Sequence, residues 1–250
     1  MSQLDHIVII GATSAMAEHC ARLWVTQSPK KITLVARDLQ KARAIAVDLQ
    51  VRSPPSVIAI EDVDFLNSVA ISSLCSRLCT EHMPTTVLIA HGTLPDQSLC
   101  QDDISQANAA LQINGISPVL FAESFASAMH KRNSGTLIII GSVAGDRGRK
   151  SNYVYGAAKG MVTRYAQGLQ HRLAQTNVKV VLIKPGPTST PMTAQLHSQG
   201  LKMARVEDVA ALIVKGASAG KPVIYAPGKW VVIMMIIRHL PNFIFNKMNI

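Results

Sequence analysis

Short unbroken apolar runs alternate along this chain with longer stretches in which apolar positions recur every three or four residues. The runs are rich in β-branched residues and cover 7–10, 31–36, 57–60, 86–90, 136–140, 179–183 and 222–225. Runs of this kind suit strands covered on both faces, as in a parallel sheet. The stretches 15–26, 38–50, 68–80 and 105–130 carry helical periodicity. Strand and helix in alternation predict repeated βαβ units, hence an α/β fold with a doubly wound, seven-stranded parallel sheet flanked by helices. No linker rich in Pro, Gly or Ser interrupts the pattern, so residues 1–228 read as a single domain. Residues 229–250 read as a separate tail, apolar on nearly every side but punctuated by Lys229, Arg238, His239 and Lys247.

Composition narrows the class. Of 250 residues, 48% are hydrophobic and 16% charged, enough for a large core and unlike a disordered chain. Lys and Arg number 25 against 15 Asp and Glu, a net charge of +10. Such a surface attracts anions: phosphate groups, nucleic acid or an acidic membrane. Aromatic residues are only 4% and no nucleic-acid motif is evident, so nucleic acid is not an expected partner. The four cysteines, Cys20, Cys75, Cys79 and Cys100, form no CxxC pair. Cys75 and Cys79 share a helical spacing but have no second pair of ligands nearby, so no metal site is expected. Reduced thiols in a cytoplasmic protein are. The apolar run 7–10 follows Asp5 rather than a basic region, so no signal peptide is expected. No run reaches the ~18 apolar residues of a membrane span.

The first strand ends in Gly11-Ala12-Thr13-Ser14-Ala15-Met16-Ala17 and enters a helix directly. Such a turn aims backbone N–H groups and a positive helix end at a pyrophosphate. Gly11 supplies the tight turn. Ala15 and Ala17 stand where the usual fingerprint has its other glycines, and each adds only a methyl. An ordinary βα turn would read much the same. The second strand is followed by Arg37, where enzymes that prefer NAD carry an acidic residue. A guanidinium suits a 2′-phosphate, which favours NADP(H) over NAD(H). The blander reading of Arg37 is a solvated loop charge. Asp38 reads equally well as the cap of the next helix.

The fifth strand closes on Gly141-Ser142-Val143-Ala144-Gly145, and thirteen residues after Ser142 comes Tyr155-Gly156-Ala157-Ala158-Lys159. On a helix, Tyr155 and Lys159 are neighbours on one face. A phenol titrates near pH 10, too high for acid–base work at neutral pH. An adjacent ammonium favours the phenolate and lowers that pKa. Ser142 can hydrogen-bond a substrate carbonyl oxygen and hold it near the phenol.

At this point the chain resembles the short-chain dehydrogenase/reductase family over nearly its whole length. The resemblance implies a Rossmann fold and a catalytic tetrad of Asn114, Ser142, Tyr155 and Lys159. Tyr155 would then be the acid in reduction and the base in oxidation. Lys159 would tune it and hold the nicotinamide ribose, while Asn114 would hold a water of the proton relay. Ser142 would polarise the substrate oxygen. The same resemblance assigns adenine binding to Asp62 and Val63 at the end of the third strand. It sets Ala90-His91-Gly92 where the family has Asn-Ala-Gly, with one side-chain hydrogen bond missing at Ala90. Pro185 and Gly186 match its motif after the sixth strand, with Thr188 and Thr190 facing the carboxamide and pyrophosphate. Thr13, Ser14, Ala15 and Met16 complete the cofactor set. A homodimer or homotetramer through the fourth and fifth helices is also implied.

The segment 191–204 reads as a short lid, with Met192, Leu196 and Met203 as apolar contacts, and a helix start follows at Arg205. The tail offers eight apolar residues from Trp230, then Arg238-His239, a break at Pro241, and Phe243-Ile244-Phe245 before Lys247. It could lie in a membrane interface with its cations on phosphates, form a subunit contact, or cover the core. With the first turn, the tail is similar to a family subgroup, the reductase subunits of the decaprenylphosphoryl-ribose epimerases. That likeness implies a polyprenyl-phosphate-linked keto-sugar as substrate and a peripheral place at the inner face of the membrane. The alternatives are a soluble ketone, a 3-oxoacyl thioester or a hydroxysteroid. From another class, a nucleotide-binding scaffold without turnover would explain Ala15, Ala17 and Ala90.

Overall fold

In the computed structural model, residues 4–194 and 202–248 are described. Seven strands follow the expected runs: β1 (His6–Ile10), β2 (Lys31–Val35), β3 (Val57–Glu61), β4 (Thr86–Ile89), β5 (Gly135–Ile140), β6 (Val178–Pro185) and β7 (Val223–Ala226). All pairings are parallel, in the order β3-β2-β1-β4-β5-β6-β7. The chain reverses its winding between β1 and β4, where an open α/β sheet forms a crevice at its carboxyl ends.

The helices are α1 (Ala15–Gln27), α2 (Leu39–Arg52), α3 (Ser68–Glu81), α4 (Gln97–Asp102), α5 (Ile104–Leu111), α6 (Ser117–Arg132), α7 (Tyr153–Arg172), α8 (Val206–Ser218), α9 (Trp230–His239) and α10 (Asn242–Phe245). Short polar residues start several of them. The Asp38 carboxylate accepts from the Lys41 N–H at 2.9 Å, and Asn67 accepts from Val69 and Ala70 N–H at the head of α3. These contacts satisfy N–H groups that have no partner within the helix. Glu207 and Asp208 occupy the first turn of α8, on the favourable side of its dipole.

Strand alternation divides the core in two. Val8 and Ile10 join Phe121, Phe125 and Leu169 beneath α3, α6 and α7. Ile7 and Ile9 join Trp24, Leu49 and Ile213 beneath α1, α2 and α8. One polar contact crosses this apolar pattern. The buried His6 ring meets the His82 carbonyl at 2.6 Å and Thr33 Oγ1 at 2.9 Å. Burial holds its pKa down at about 4.

Two expectations are corrected here. The periodic stretch 105–130 is not one helix: a wide π turn, Gln112–Ile116, separates α5 from α6 and carries Asn114. The sixth strand also runs through Pro185 instead of ending before it. The tail forms α9 and α10. Within it Met234 is buried, while Val231, Val232, Met235, Ile236 and Phe243 are exposed. Among the described residues, no helix is long and apolar enough to cross a membrane. The described cysteines are free thiols, and no cluster of three metal-ligating side chains occurs among the described residues.

Candidate active site

Two adjoining cavities open at the carboxyl ends of the strands. The larger, about 480 Å³, is lined by Gly11, Thr13, Ser14 and Ala15 from the first turn, by Arg37, and by Ala90, His91, Gly92 and Thr190. The turn depends on Gly11. Its φ of +78° is costly for any residue with a Cβ, and an added Cβ would lie 2.6 Å from the His91 N and Cβ. The Ser14 N–H closes the turn on the Gly11 carbonyl at 3.0 Å, and the Ser14 side chain makes no cap bond. The first N–H groups of α1 therefore face the cavity without side-chain partners, as an anion requires. Ala17 is packed in the core at 0% exposure, so its methyl fills the helix–strand contact instead of intruding on the cavity.

Arg37 stands at the cavity edge with its guanidinium 5.8 Å from the Phe65 ring centroid and no ion pair among the described residues. Lys41 lines the same wall. Asp62 and Val63 do not line it: Val63 is in the core beneath α3, and Phe65 occupies the wall instead. Past the end of β3 at Glu61, Val63 and Phe65 both turn into that core, and Phe65 alone of the two also borders the cavity. Phe65 meets His91 edge-on, with ring centroids 4.9 Å apart. His91 Nε2 bonds Ser117 Oγ at 2.9 Å, and its Nδ1 is buried without a partner. Burial, aided by Lys159 and Arg37, pushes its pKa down to about 3, so the ring is neutral. Ala90 has no polar side chain, and the polar role at this loop passes to its neighbour.

The second cavity, about 140 Å³, gathers Met16, Asn114, Ser142, Tyr155, Lys159, Pro185, Gly186 and Thr188. Tyr155 and Lys159 lie one turn apart on α7, as their spacing predicts. The Asn114 carbonyl oxygen accepts from the Thr93 N–H at 2.8 Å, and its amide donates to the Ala110 carbonyl at 3.0 Å. Asn114 sits fully buried within the π turn, a local widening of the helix that is frequent at functional sites. Gly92 must stay small, because a Cβ there would lie 2.7 Å from the Asn114 oxygen.

The electrostatics differ from the sequence expectation. The Lys159 ammonium donates to the Ile140 carbonyl at 3.0 Å and lies 5.8 Å from the Tyr155 ring centroid. Burial pushes Tyr155 up to about 12, opposed by its hydrogen bond with Ser142. Burial lowers Lys159 to about 8. The protein alone therefore keeps the phenol protonated, which is the state a proton donor needs.

Sequence reasoning missed Phe65, Lys41, Arg149 and Asn152 as lining residues. The order of basic and aromatic residues gave no signal for them, because Phe65, Arg149 and Asn152 lie on loops and Lys41 lies in the first turn of α2, which only the fold brings to the cavities. The expected lid is anchored at both ends: Ser189 and Ala204 pair across it, and Met192 lines both cavities. Leu196 lies outside the described residues. Trp230 of α9 packs its indole against Gly186, where an added Cβ would overlap it at 1.9 Å. The tail thus packs against Gly186, a residue that lines the second cavity.

The chain is similar to known proteins over most of its length. The family model for short chain dehydrogenases matches residues 5–200. An uncharacterized oxidoreductase of Mycobacterium tuberculosis is 30% identical over 244 residues, spanning 97% of this chain and 96% of the relative. One from Streptomyces coelicolor is 26% identical, spanning 97% and 95%. A short-chain dehydrogenase from Sphingobium yanoikuyae, solved in complex with NADPH, superposes with a TM-score of 0.83 at 19% identity, covering 98% and 97% of the two chains. A short chain dehydrogenase from Burkholderia cenocepacia, in complex with NADP, gives 0.79 at 18% identity, covering 95% and 94%. The chain belongs to the short-chain dehydrogenase/reductase family of oxidoreductases. The partnerless N–H groups at the head of α1, the close approach required at Gly11 and the deep crevice fit a nicotinamide dinucleotide.

Proposed function

We propose that this protein reduces a ketone to a secondary alcohol, using NADP(H) in preference to NAD(H). The observation that carries the reading is the convergence of Ser142, Tyr155, Lys159 and Asn114 on one cavity beside the dinucleotide crevice. A nicotinamide dinucleotide held in that crevice by the first turn at Gly11 and by Arg37 would supply the hydride that reduces the carbonyl carbon. Ser142 and Tyr155 hydrogen-bond the carbonyl oxygen, and the Tyr155 O–H gives its proton to the oxygen as charge develops there. The alcohol forms with both new bonds on the substrate. Lys159 and Asn114 return a proton to the tyrosinate through a water. Arg37 and Lys41, both lining the far wall, suit a 2′-phosphate.

Tyr155→Phe tests the reading. The variant should lose at least about a hundredfold in turnover, the scale of general acid catalysis, while its NADPH binding by fluorescence titration stays within about twofold. Unchanged turnover in the variant would remove Tyr155 as the acid, and a wild type that binds NADPH but reduces no ketone would support the inactive-scaffold reading.

For the substrate we favour a polyprenyl-phosphate-linked keto-sugar over a soluble ketone. The support is the tail: α9 packs Trp230 against Gly186 of the second cavity and presents Val231, Val232, Met235 and Ile236 outward. An apolar face flanked by Arg238, His239 and Lys247 suits an anionic membrane interface. Assembly as a homodimer or homotetramer belongs to the same proposal. The full chain should float with anionic liposomes. A chain ending at residue 228 should not, and flotation by neither would return the substrate to the soluble class.

A further inference from the structure

The second cavity holds a cation that the reduction does not use. Arg149 lines it, on the loop between Ser142 and α7. Its Nε is buried without a hydrogen-bond partner, and its Nη2 reaches only the Met234 sulfur at 3.5 Å. A thioether is a weak acceptor. No oxygen accepts from this guanidinium among the described residues. The nearby carboxylate, Asp146, is already engaged by Lys184 and by the Tyr225 hydroxyl. Arg147, two residues earlier, is also engaged: it donates to the Ile237 and Leu240 carbonyls and stacks 3.8 Å from the Phe245 ring centroid. Lys159, the other cation on this cavity, donates to the Ile140 carbonyl, whereas the Arg149 guanidinium has no oxygen partner among the described residues.

Two further features belong to the same wall. The Asn152 side-chain oxygen lines the cavity, buried and without a partner. A half-turn of that amide presents an N–H₂ in its place. The tail fixes the guanidinium from behind, because Met234 is fully buried against it. Burial of this cation without a paired anion lowers its pKa, yet a guanidinium stays charged at any ordinary pH. A desolvated, unpaired charge is costly. A bound oxyanion would remove that cost, and the planar fork of donors matches phosphate or carboxylate.

We propose that Arg149, with the Asn152 amide, binds an oxyanion carried by the substrate, a phosphate or a carboxylate, and thereby orients the ketone toward Ser142 and Tyr155. This rests on the ketone-reductase reading and adds to it the charge of the substrate. It makes Arg149 a specificity residue, and it makes α9 the element that positions it.

The test uses the full chain with NADPH and three matched ketones: 4-oxocyclohexanecarboxylate, its methyl ester and 4-oxocyclohexyl phosphate. The wild type should prefer an anionic ketone to the ester by about tenfold or more in kcat/KM, the scale of a charge-assisted hydrogen bond. Arg149→Met should bring that ratio to about one, mainly through KM. Arg149→Lys should keep part of it and serves as the variant that preserves packing. Carboxylate against phosphate tells which oxyanion is read. Equal ratios in wild type and Arg149→Met, or a wild-type preference for the ester, would overturn the proposal. If no ketone is reduced, the reductase reading fails separately. Calorimetry of the carboxylate and phosphate probes on NADP⁺-loaded protein then decides this one: binding that Arg149→Met weakens tenfold sustains the oxyanion site, and binding it leaves unchanged rejects it.

Discussion

Asp146→Ala is the perturbation with the largest calculable consequence. The Asp146 carboxylate pairs with the Lys184 ammonium, and their side chains are 2% and 5% exposed. Its second oxygen accepts from the Tyr225 hydroxyl at 2.8 Å. The pair ties the loop after Ser142, which carries Arg147 and Arg149, to the ends of β6 and β7. Removing one member strands a buried ammonium, which typically costs about 3–5 kcal/mol. With a urea slope of about 3 kcal/mol per M for a chain of this size, the unfolding midpoint should fall by about 1–1.7 M. Replacing both charges, Asp146→Ala with Lys184→Met, should recover most of that loss, because no uncompensated charge remains. The same urea titrations, followed by circular dichroism, read both variants. A single variant within about 1 kcal/mol of wild type would refute the reasoning, since the pair would then not be desolvated in the way its burial implies. A double variant no better than the single would refute it too, because packing and not charge would be the cause.

Further outcomes follow from other parts of the molecule. Arg37→Glu should remove the NADPH preference and weaken NADPH binding by about tenfold or more, the scale of hydrogen bonds to a charged group; titration with NADPH and NADH in parallel measures it, and unchanged selectivity would reassign the 2′-phosphate contact. His6 ties stability to pH. Its pKa is about 4 in the folded chain against about 6.5 for a free imidazole, so the unfolded chain binds more protons between those values. The stability that His6 contributes is therefore complete above pH 6.5 and is lost as pH falls toward 4, by about 3 kcal/mol in all. His6→Gln should flatten the urea midpoint between pH 6.5 and 4.5 relative to wild type, and an unchanged slope would count against the burial argument.

Much of this protein was legible in its sequence because the signals are local and periodic. A run such as Ile7–Ile10 has no polar position to give to solvent, so it must be covered on both faces, and seven such runs separated by helices leave a doubly wound sheet as the economical solution. The four-residue step from Tyr155 to Lys159 is a helical geometry before it is a contact, and it held on α7. Gly11 was legible for the same reason, since a turn this tight requires a residue without a Cβ. Features that depend on how distant segments meet were decided only by the tertiary structure. The spacing around Asn114 fits an unbroken helix, and only packing against α7 shows why the backbone widens there. Asp62 and Phe65 are three residues apart on a loop, and the fold alone selects which faces the crevice. Burial, which no single segment determines, raises the Tyr155 pKa when its lysine neighbour alone would lower it. The pairing of Asp146 with Lys184, which leaves Arg149 without a counter-ion, joins two strand ends and a loop 38 residues apart. Periodicity sets which face of an element is apolar; long-range packing sets which charged groups share a desolvated space and which of them find a partner.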